Sequence, residues 1–169
     1  MKLRKSRSFE RAGGFTLVEM LVVVLIVGIL ASAAMPLVTI DHRRRQESDL
    51  REALRAIRVA IDAYKQASDR GLIAKGPDAS GYPVDLTELT VGVDVIGAID
   101  PATQRPRKLY FLRALPRDPF SDLTLPAEET WTLRSYESPP EEPAPGHDVF
   151  DVHSKSDVVA LDGTKVRSW

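Results

Sequence analysis

An apolar run near the start of the chain limits the folds that this sequence can adopt. Between residues 20 and 35 every side chain is apolar except those of Gly28 and Ser32. The wider segment 15–40 has 26 residues. As a helix it is about 39 Å long, which exceeds the roughly 30 Å hydrocarbon core of a bilayer. The pattern therefore predicts one membrane-spanning helix.

One carboxylate, Glu19, stands at the start of this run. Placing a charge in a membrane span costs at least about 2.5 kcal/mol, so we expect a residue that is kept there to have a function. Residues 1–14 form a basic head, with five basic residues against one acidic residue. Such a head stays in the cytoplasm, so we expect the C-terminal domain on the other side of the membrane. The whole chain has a net charge of −1, so the remainder is acidic and a poor candidate for nucleic-acid binding.

The same N-terminal pattern has a second interpretation as an ordinary secretory signal. A basic region, an apolar region and a small-residue site such as Ala31-Ser32-Ala33 satisfy its requirements. Cleavage there would release a soluble protein that begins near Ala34, whereas an uncleaved segment would remain a plain anchor. The chain has no cysteine, which excludes a lipoprotein anchor, disulfides, thiolate metal sites and thiol catalysis.

Residues 41–68 are predicted to form a second helical stretch. Apolar side chains recur there every three or four positions and make one stripe, namely Leu50, Ala53, Leu54, Ile57, Ala60, Ile61 and Tyr64. Gly71 is the expected stop. Beyond it, turn residues separate short segments of strand character at 91–99, 131–136 and 149–152. We therefore predict an α+β fold, with one long N-terminal helix packed on a small antiparallel sheet.

No residue pattern in the chain indicates catalysis. His42, His147 and His153 are too scattered to suggest a metal site or a general base beside a nucleophile, so we expect no enzyme activity. Acidic and hydroxyl residues crowd the segment 148–162 and offer only hard oxygen ligands, which suit calcium. The same residue types also favour turns. A basic stretch between residues 105 and 117 is either a solvated face or a partner for acidic loops of a neighbouring subunit.

The N-terminal motif resembles the class III signal of the type IV pilin and pseudopilin superfamily. The residues that carry this resemblance are Gly13-Gly14-Phe15-Thr16-Leu17-Val18-Glu19, followed at the family's spacing by Pro36. The resemblance implies that a prepilin peptidase recognises Gly13 and Gly14 and cuts after Gly14. It also implies methylation of the Phe15 amine, a role for Glu19 in assembly, and a helix kink at Pro36.

The C-terminal half resembles the major pseudopilins of type II secretion systems. The segments concerned are Tyr82-Pro83, residues 112–120, residues 148–154, Asp162-Gly163-Thr164 and Trp169. The resemblance implies calcium bound by Asp157 and Asp162, with Asp151 as a further candidate. The sequence departs from the family at Phe120-Ser121, where Trp-Gly is usual. Residues 94–108 have the character of an insertion, and the glycine-rich loop before the C-terminus is missing.

Together these patterns predict a leader at 1–14, a membrane and filament-core helix at 15–40, an amphipathic helix at 41–70 and a periplasmic domain at 71–169. The resemblance implies a subunit anchored once in the bacterial inner membrane, which polymerises into a periplasmic filament that drives protein export. Its implied partners are copies of itself, minor pseudopilins, the peptidase and an inner-membrane assembly platform. The alternatives are a type IV pilus subunit for adhesion, motility or DNA uptake, and a secreted binding module. The missing cysteine pair argues against the usual pilin.

Overall fold

A computed structural model describes residues 14–169, and in the first helix it describes the side chains of residues 17–32 and 39–69. This helix, α1, runs from Leu17 to Asp69. Gly13 and the basic head therefore lie outside the described residues, as does the side chain of Pro36, so the predicted kink stays a prediction. The long helix and the antiparallel strands described next confirm the predicted α+β architecture.

After α1 the chain forms short elements joined by turns. They are α2 (Glu88–Val91), β1 (Val93–Ile99), β2 (Pro106–Leu109), β3 (Trp131–Arg134) and β4 (Asp151–Ser154), with 3-10 turns at Ala127–Thr130 and Val166–Ser168. β1 pairs with β2 and β3 pairs with β4, both antiparallel, in two separate two-stranded sheets. In the second sheet Trp131 lies opposite Ser154, and Arg134 lies opposite Asp151.

The chain divides into two compact units, residues 1–42 and residues 43–169. In the first unit the large apolar side chains between Phe15 and Leu30 are exposed on every side of the helix. No helix in the described part of the chain combines the length and the apolar character that crossing a membrane requires.

The second unit is organised around the predicted stripe of α1. All seven stripe residues are buried, and Leu50, Ile57 and Ile61 are almost completely so. Later segments of the chain supply the buried residues that join them in one core, namely Ile73, Leu86, Leu89, Trp131, Val149, Val152, Ala160 and Val166. The side chain of Trp131 also donates a hydrogen bond to the Pro116 carbonyl, 2.9 Å away. The 3.6-residue period thus identified the central packing surface of this unit.

The end of α1 is built as the sequence predicts. Gly71 has a φ of 68°, the left-handed conformation that glycine adopts without steric cost. The Gly71 amide donates to the Ser68 carbonyl at 3.0 Å, and the Leu72 amide donates to the Ala67 carbonyl at 2.9 Å. These two bonds are the Schellman arrangement, which satisfies carbonyls that the helix leaves open.

The strands match the sequence patterns less closely than the helix does. β3 lies inside the predicted segment 131–136, but β4 begins two residues later than the predicted segment 149–152. The Val149 amide donates instead to the Pro83 carbonyl, which holds this residue in a loop contact before the strand pairing begins. The stretch 94–108, expected as an insertion, contains most of the β1–β2 hairpin.

Asp118 is a buried carboxylate that connects three segments. Its side chain is only 2% exposed. One oxygen accepts from the Ser154 hydroxyl of β4 at 2.5 Å, and the other accepts from the Phe120 amide at 2.8 Å. The Asp118 amide in turn donates to the Thr130 hydroxyl. A buried charge needs such hydrogen bonds, so the Asp-Pro motif fixes the loop against β4 through its carboxylate.

We predict that Ile57→Ala destabilises the protein far more than Val59→Ala. Ile57 is fully buried in the stripe, whereas Val59 on the same helix is 61% exposed. Loss of the buried side chain leaves a cavity and costs about 2–5 kcal/mol, while an exposed truncation changes stability by about 0.5 kcal/mol or less. Urea denaturation followed by tryptophan fluorescence measures both, and equal effects would contradict the described core.

Candidate functional site

The residues around the predicted cleavage point precede the first helical turn. Gly14, Phe15 and Thr16 are exposed and non-helical, and α1 begins at Leu17. The Thr16 hydroxyl accepts a hydrogen bond from the Glu19 amide at 3.2 Å, and the Thr16 carbonyl accepts from the Met20 amide at 3.1 Å. Thr16 therefore caps the helix. The Gly14–Phe15 bond lies just outside the capped helix, on an accessible segment of the kind that peptidases cut.

Glu19 lies in the first turn of α1 and is exposed. The amides at a helix N-terminus carry partial positive charge, which favours a carboxylate at this position. Apolar side chains surround it, including Leu17, which is 81% exposed, and Met20. A helix that is apolar all round belongs in a membrane or in the interior of a larger assembly. Glu19 is thus the single charged side chain between residues 15 and 32, and its apolar neighbours are exposed.

The second predicted site lies in the C-terminal segment, and here Asp151 contacts an arginine of α1. The Arg58 Nε atom lies 2.7 Å from Asp151 Oδ1. Arg58 also donates to the backbone carbonyls of Val152 at 3.1 Å and Trp169 at 2.9 Å. His153 lies on the other side of the carboxylate, with Nε2 3.4 Å from Asp151 Oδ2. Arg58 therefore ties both β4 and the C-terminal segment to the helix.

Asp162 and Asp157 have different partners. Asp162 accepts from the amide and hydroxyl of Thr164 at 2.9 and 2.7 Å, and Arg51 approaches its other oxygen at 3.3 Å. The Thr164 hydrogen bonds, with a smaller effect of Arg51, lower the pKa of Asp162. Asp157 forms an exposed ion pair with Arg167 at 2.8 Å, and the hydrogen bond and charge of Arg167 lower its pKa.

These contacts decide how well the three candidate ligands fit a calcium ion. Calcium takes six to eight oxygen ligands that converge on one point, but Asp151, Asp157 and Asp162 each face a different arginine. In residues 14–32 and 39–169, no group of three or more acidic, histidine or cysteine side chains is placed to hold a metal ion. In this arrangement the three residues do not fit a shared calcium site, so the calcium binding expected from the sequence would require the loop to rearrange, and no observation tests it.

Sequence reasoning missed the residue that anchors this loop most directly. Glu47 is only 5% exposed, and its Oε1 accepts from the Leu161 amide at 2.7 Å. Arg51, one turn later, lies with its guanidinium carbon 4.0 Å from the centre of the Trp169 ring. A signal for Glu47 was present in the sequence, because it lies three residues before Leu50 and so continues the buried stripe.

Comparison with known proteins finds similarity at the N-terminal motif and over a longer part of the chain. The family described as "Prokaryotic N-terminal methylation motif" matches residues 11–35. The chain is 32% identical over 111 residues to the type II secretion system core protein G of Klebsiella pneumoniae, covering 66% of this chain and 71% of that protein. It is 30% identical over 116 residues to the core protein G of Aeromonas hydrophila, covering 67% and 71% respectively.

A pilin is also similar to this chain, over a shorter range. The type IV major pilin protein PilA of Myxococcus xanthus strain DK1622 is 37% identical over 68 residues, which is 40% of this chain and 31% of the pilin. No solved structure matches the chain.

We predict that calcium and a chelator give the same melting temperature. The arginines already neutralise Asp151, Asp157 and Asp162, so a divalent cation would have to displace them. A calcium ion that bound only the folded state at a hundredfold excess over Kd would instead add about 2.7 kcal/mol. Thermal melts in millimolar calcium, in magnesium and in chelator separate the two expectations. A higher melting temperature in calcium alone would show that the loop rearranges around the ion.

Proposed function

This chain belongs to the pilin and pseudopilin superfamily, and from that premise we propose that it is a structural subunit of a type II secretion pseudopilus. Polymerised copies would drive proteins across the outer membrane, with no enzymatic step on this chain. The observation that carries the proposal is the extent of similarity. The two secretion proteins each match over about two thirds of this chain, whereas the pilin matches over 40%.

Maturation is the first step of the proposed function. The peptidase would recognise Gly13 and Gly14, cut the bond before Phe15 and leave an amine for methylation. The exposed, non-helical position of Gly14 and Phe15 supports this step. So does the match of the N-terminal methylation motif over residues 11–35. We propose that the mature chain is held in the inner membrane by residues 15–40, with the domain 71–169 in the periplasm.

Assembly would bring the apolar helices of many copies together, with minor pseudopilins and an inner-membrane platform as further partners. The exposed apolar side chains of residues 15–30 would be buried in the filament core. Glu19 would be buried with them, and a buried carboxylate is costly unless a cation accompanies it. We propose that the Phe15 amine of a neighbouring copy supplies this cation. A docked subunit would then be held in one register, because any other register leaves Glu19 unpaired.

We expect the mature protein to begin at Phe15 with a methylated amine. Intact-mass measurement and N-terminal sequencing of the protein from envelope fractions test this. An N-terminus near Ala34 would instead identify the small-residue site as the cut and would contradict a membrane-anchored subunit.

We predict that Glu19→Ala yields a stable membrane protein that does not assemble. The substitution removes the charge that pairs adjacent copies, while the second compact unit, residues 43–169, does not include it. The measurement is filament yield after shearing, divided by total protein. Glu52→Ala is the matched control, since Glu52 is also an exposed glutamate of α1. Normal filament yield from Glu19→Ala would contradict the proposed role.

Deletion of the gene separates secretion from a pilus. We expect exported proteins to accumulate in the periplasm of the deletion strain, while surface pili, twitching and DNA uptake remain. The reverse result would assign the chain to a type IV pilus.

A further inference from the structure

The β1–β2 hairpin carries an exposed basic edge formed by Arg105, Arg107 and Lys108. Arg105, immediately before β2, and Arg107, within it, are exposed. Among the described residues, neither of these side chains has a hydrogen-bond or ion-pair partner. The neighbouring Lys108 donates a hydrogen bond to the Gly92 carbonyl, 3.2 Å away. Exposed apolar side chains, Ile99 and Tyr110, flank this edge. We call Arg105, Arg107, Lys108 and these two residues the basic edge.

A groove elsewhere in the same unit is lined by acidic side chains, in contrast to the basic edge. It has a volume of about 530 Å³ and we call it the acidic groove. His147 also lines it, but its other titratable and aromatic lining residues are Asp78, Tyr82, Tyr136, Glu137 and Asp148. Asp78 and Glu137 have no side-chain partner in the described part of the chain. The adjoining loop 139–145 is exposed and contributes two more acidic side chains, Glu141 and Glu142. Lys65 reaches Tyr82, but Asp69 neutralises it at 2.5 Å.

The aromatic side chains of the acidic groove are suited to receive a guanidinium group. Tyr136 is 59% exposed and stacks on Tyr82 with ring centres 5.7 Å apart. Phe150 meets both rings edge-on and holds them in place. An arginine over the face of such a ring is attracted by its π electrons. Asp148 stays ionised beside them, because hydrogen bonds from Ser80, Tyr136 and Ser135 outweigh its burial and lower its pKa.

We propose that the basic edge of one copy docks into the acidic groove of the next copy, with Arg107 between Tyr136 and Glu137. The inference deepens the proposed filament function and rests on it. Two different and complementary surfaces on one chain make a head-to-tail contact, which generates an open helical polymer when the rotation does not close. The hairpin that distinguishes this sequence from its family pattern would thus be a filament contact.

Edge protection is the competing explanation for these arginines. β2 has a free edge, and charged residues at such an edge prevent uncontrolled strand pairing. Edge protection requires a charge of either sign. On that explanation, Arg107→Glu would protect the edge as well as the native arginine does, and filament yield would not change. Docking requires a positive charge at Arg107 and a negative charge at Glu137. Reversal of both charges together therefore distinguishes the two explanations.

The experiment measures sheared filament yield from the full chain in its native secretion host. Arg107→Glu and Glu137→Arg should each lower the yield at least about tenfold, since like charges then meet across the contact. The double variant should restore most of the native yield. Lys165→Glu and Glu128→Lys are matched controls, because both native residues are exposed and outside the two surfaces. Both controls should assemble normally.

Cysteine cross-linking gives a direct second readout, since the native chain has no cysteine. Filaments of Arg107→Cys/Glu137→Cys should form a ladder of disulfide-linked copies on non-reducing gels, and filaments of Lys165→Cys/Glu137→Cys should not. Two results would show that this docking contact is wrong while the proposed function stands, provided that native filaments form. In the first, the single charge reversals do not lower the filament yield. In the second, the double charge reversal does not restore the yield and the double-cysteine chain gives no ladder. If the native chain forms no filaments, both are wrong.

Discussion

The apolar stripe of α1 is the constraint on which the second unit depends. The core residues from the later segments all pack on Leu50, Ile57, Ile61 and their neighbours. Each such side chain contributes about 1.5–3 kcal/mol when it is fully buried, so two small sheets with strands of four to seven residues remain ordered against the stripe. Upstream the same helix is apolar on every side. The side-chain pattern of α1 therefore differs between the first unit, residues 1–42, and the second unit, residues 43–169.

The helix and its stripe could be predicted from sequence because both depend on local spacing. A period of 3.6 residues and one left-handed glycine suffice to place the buried face and the helix end. The strands are harder to predict, because they are short and their amides also bond to loops. Val149 shows this, since its pairing with Pro83 delays β4 by two residues. No local pattern reveals that Pro83 will lie beside residue 149.

The two candidate sites also differ in how far local sequence could predict them. The N-terminal motif is contiguous, so the sequence alone is enough to predict roles for Gly14, Phe15 and Glu19 together. In the acidic segment, clustering in sequence did not produce clustering in space. Asp151 lies against Arg58, which is 93 positions away in the chain. Residue composition identified a group of oxygen-bearing side chains that is close in sequence, but it could not identify the arginines that the fold brings to them.

The contacts of Glu47 and Arg58 also have a consequence for biogenesis. Glu47 binds Leu161 and Arg58 binds Trp169, so the helix and its partners are separated by 114 and 111 positions. Long sequence separation makes such contacts slow to form. A chain that is synthesised from its N-terminus cannot complete these contacts until residues 160–169 are available. This unit therefore reaches its final packing only after its last residues are free, and until then part of the apolar stripe of α1 remains uncovered.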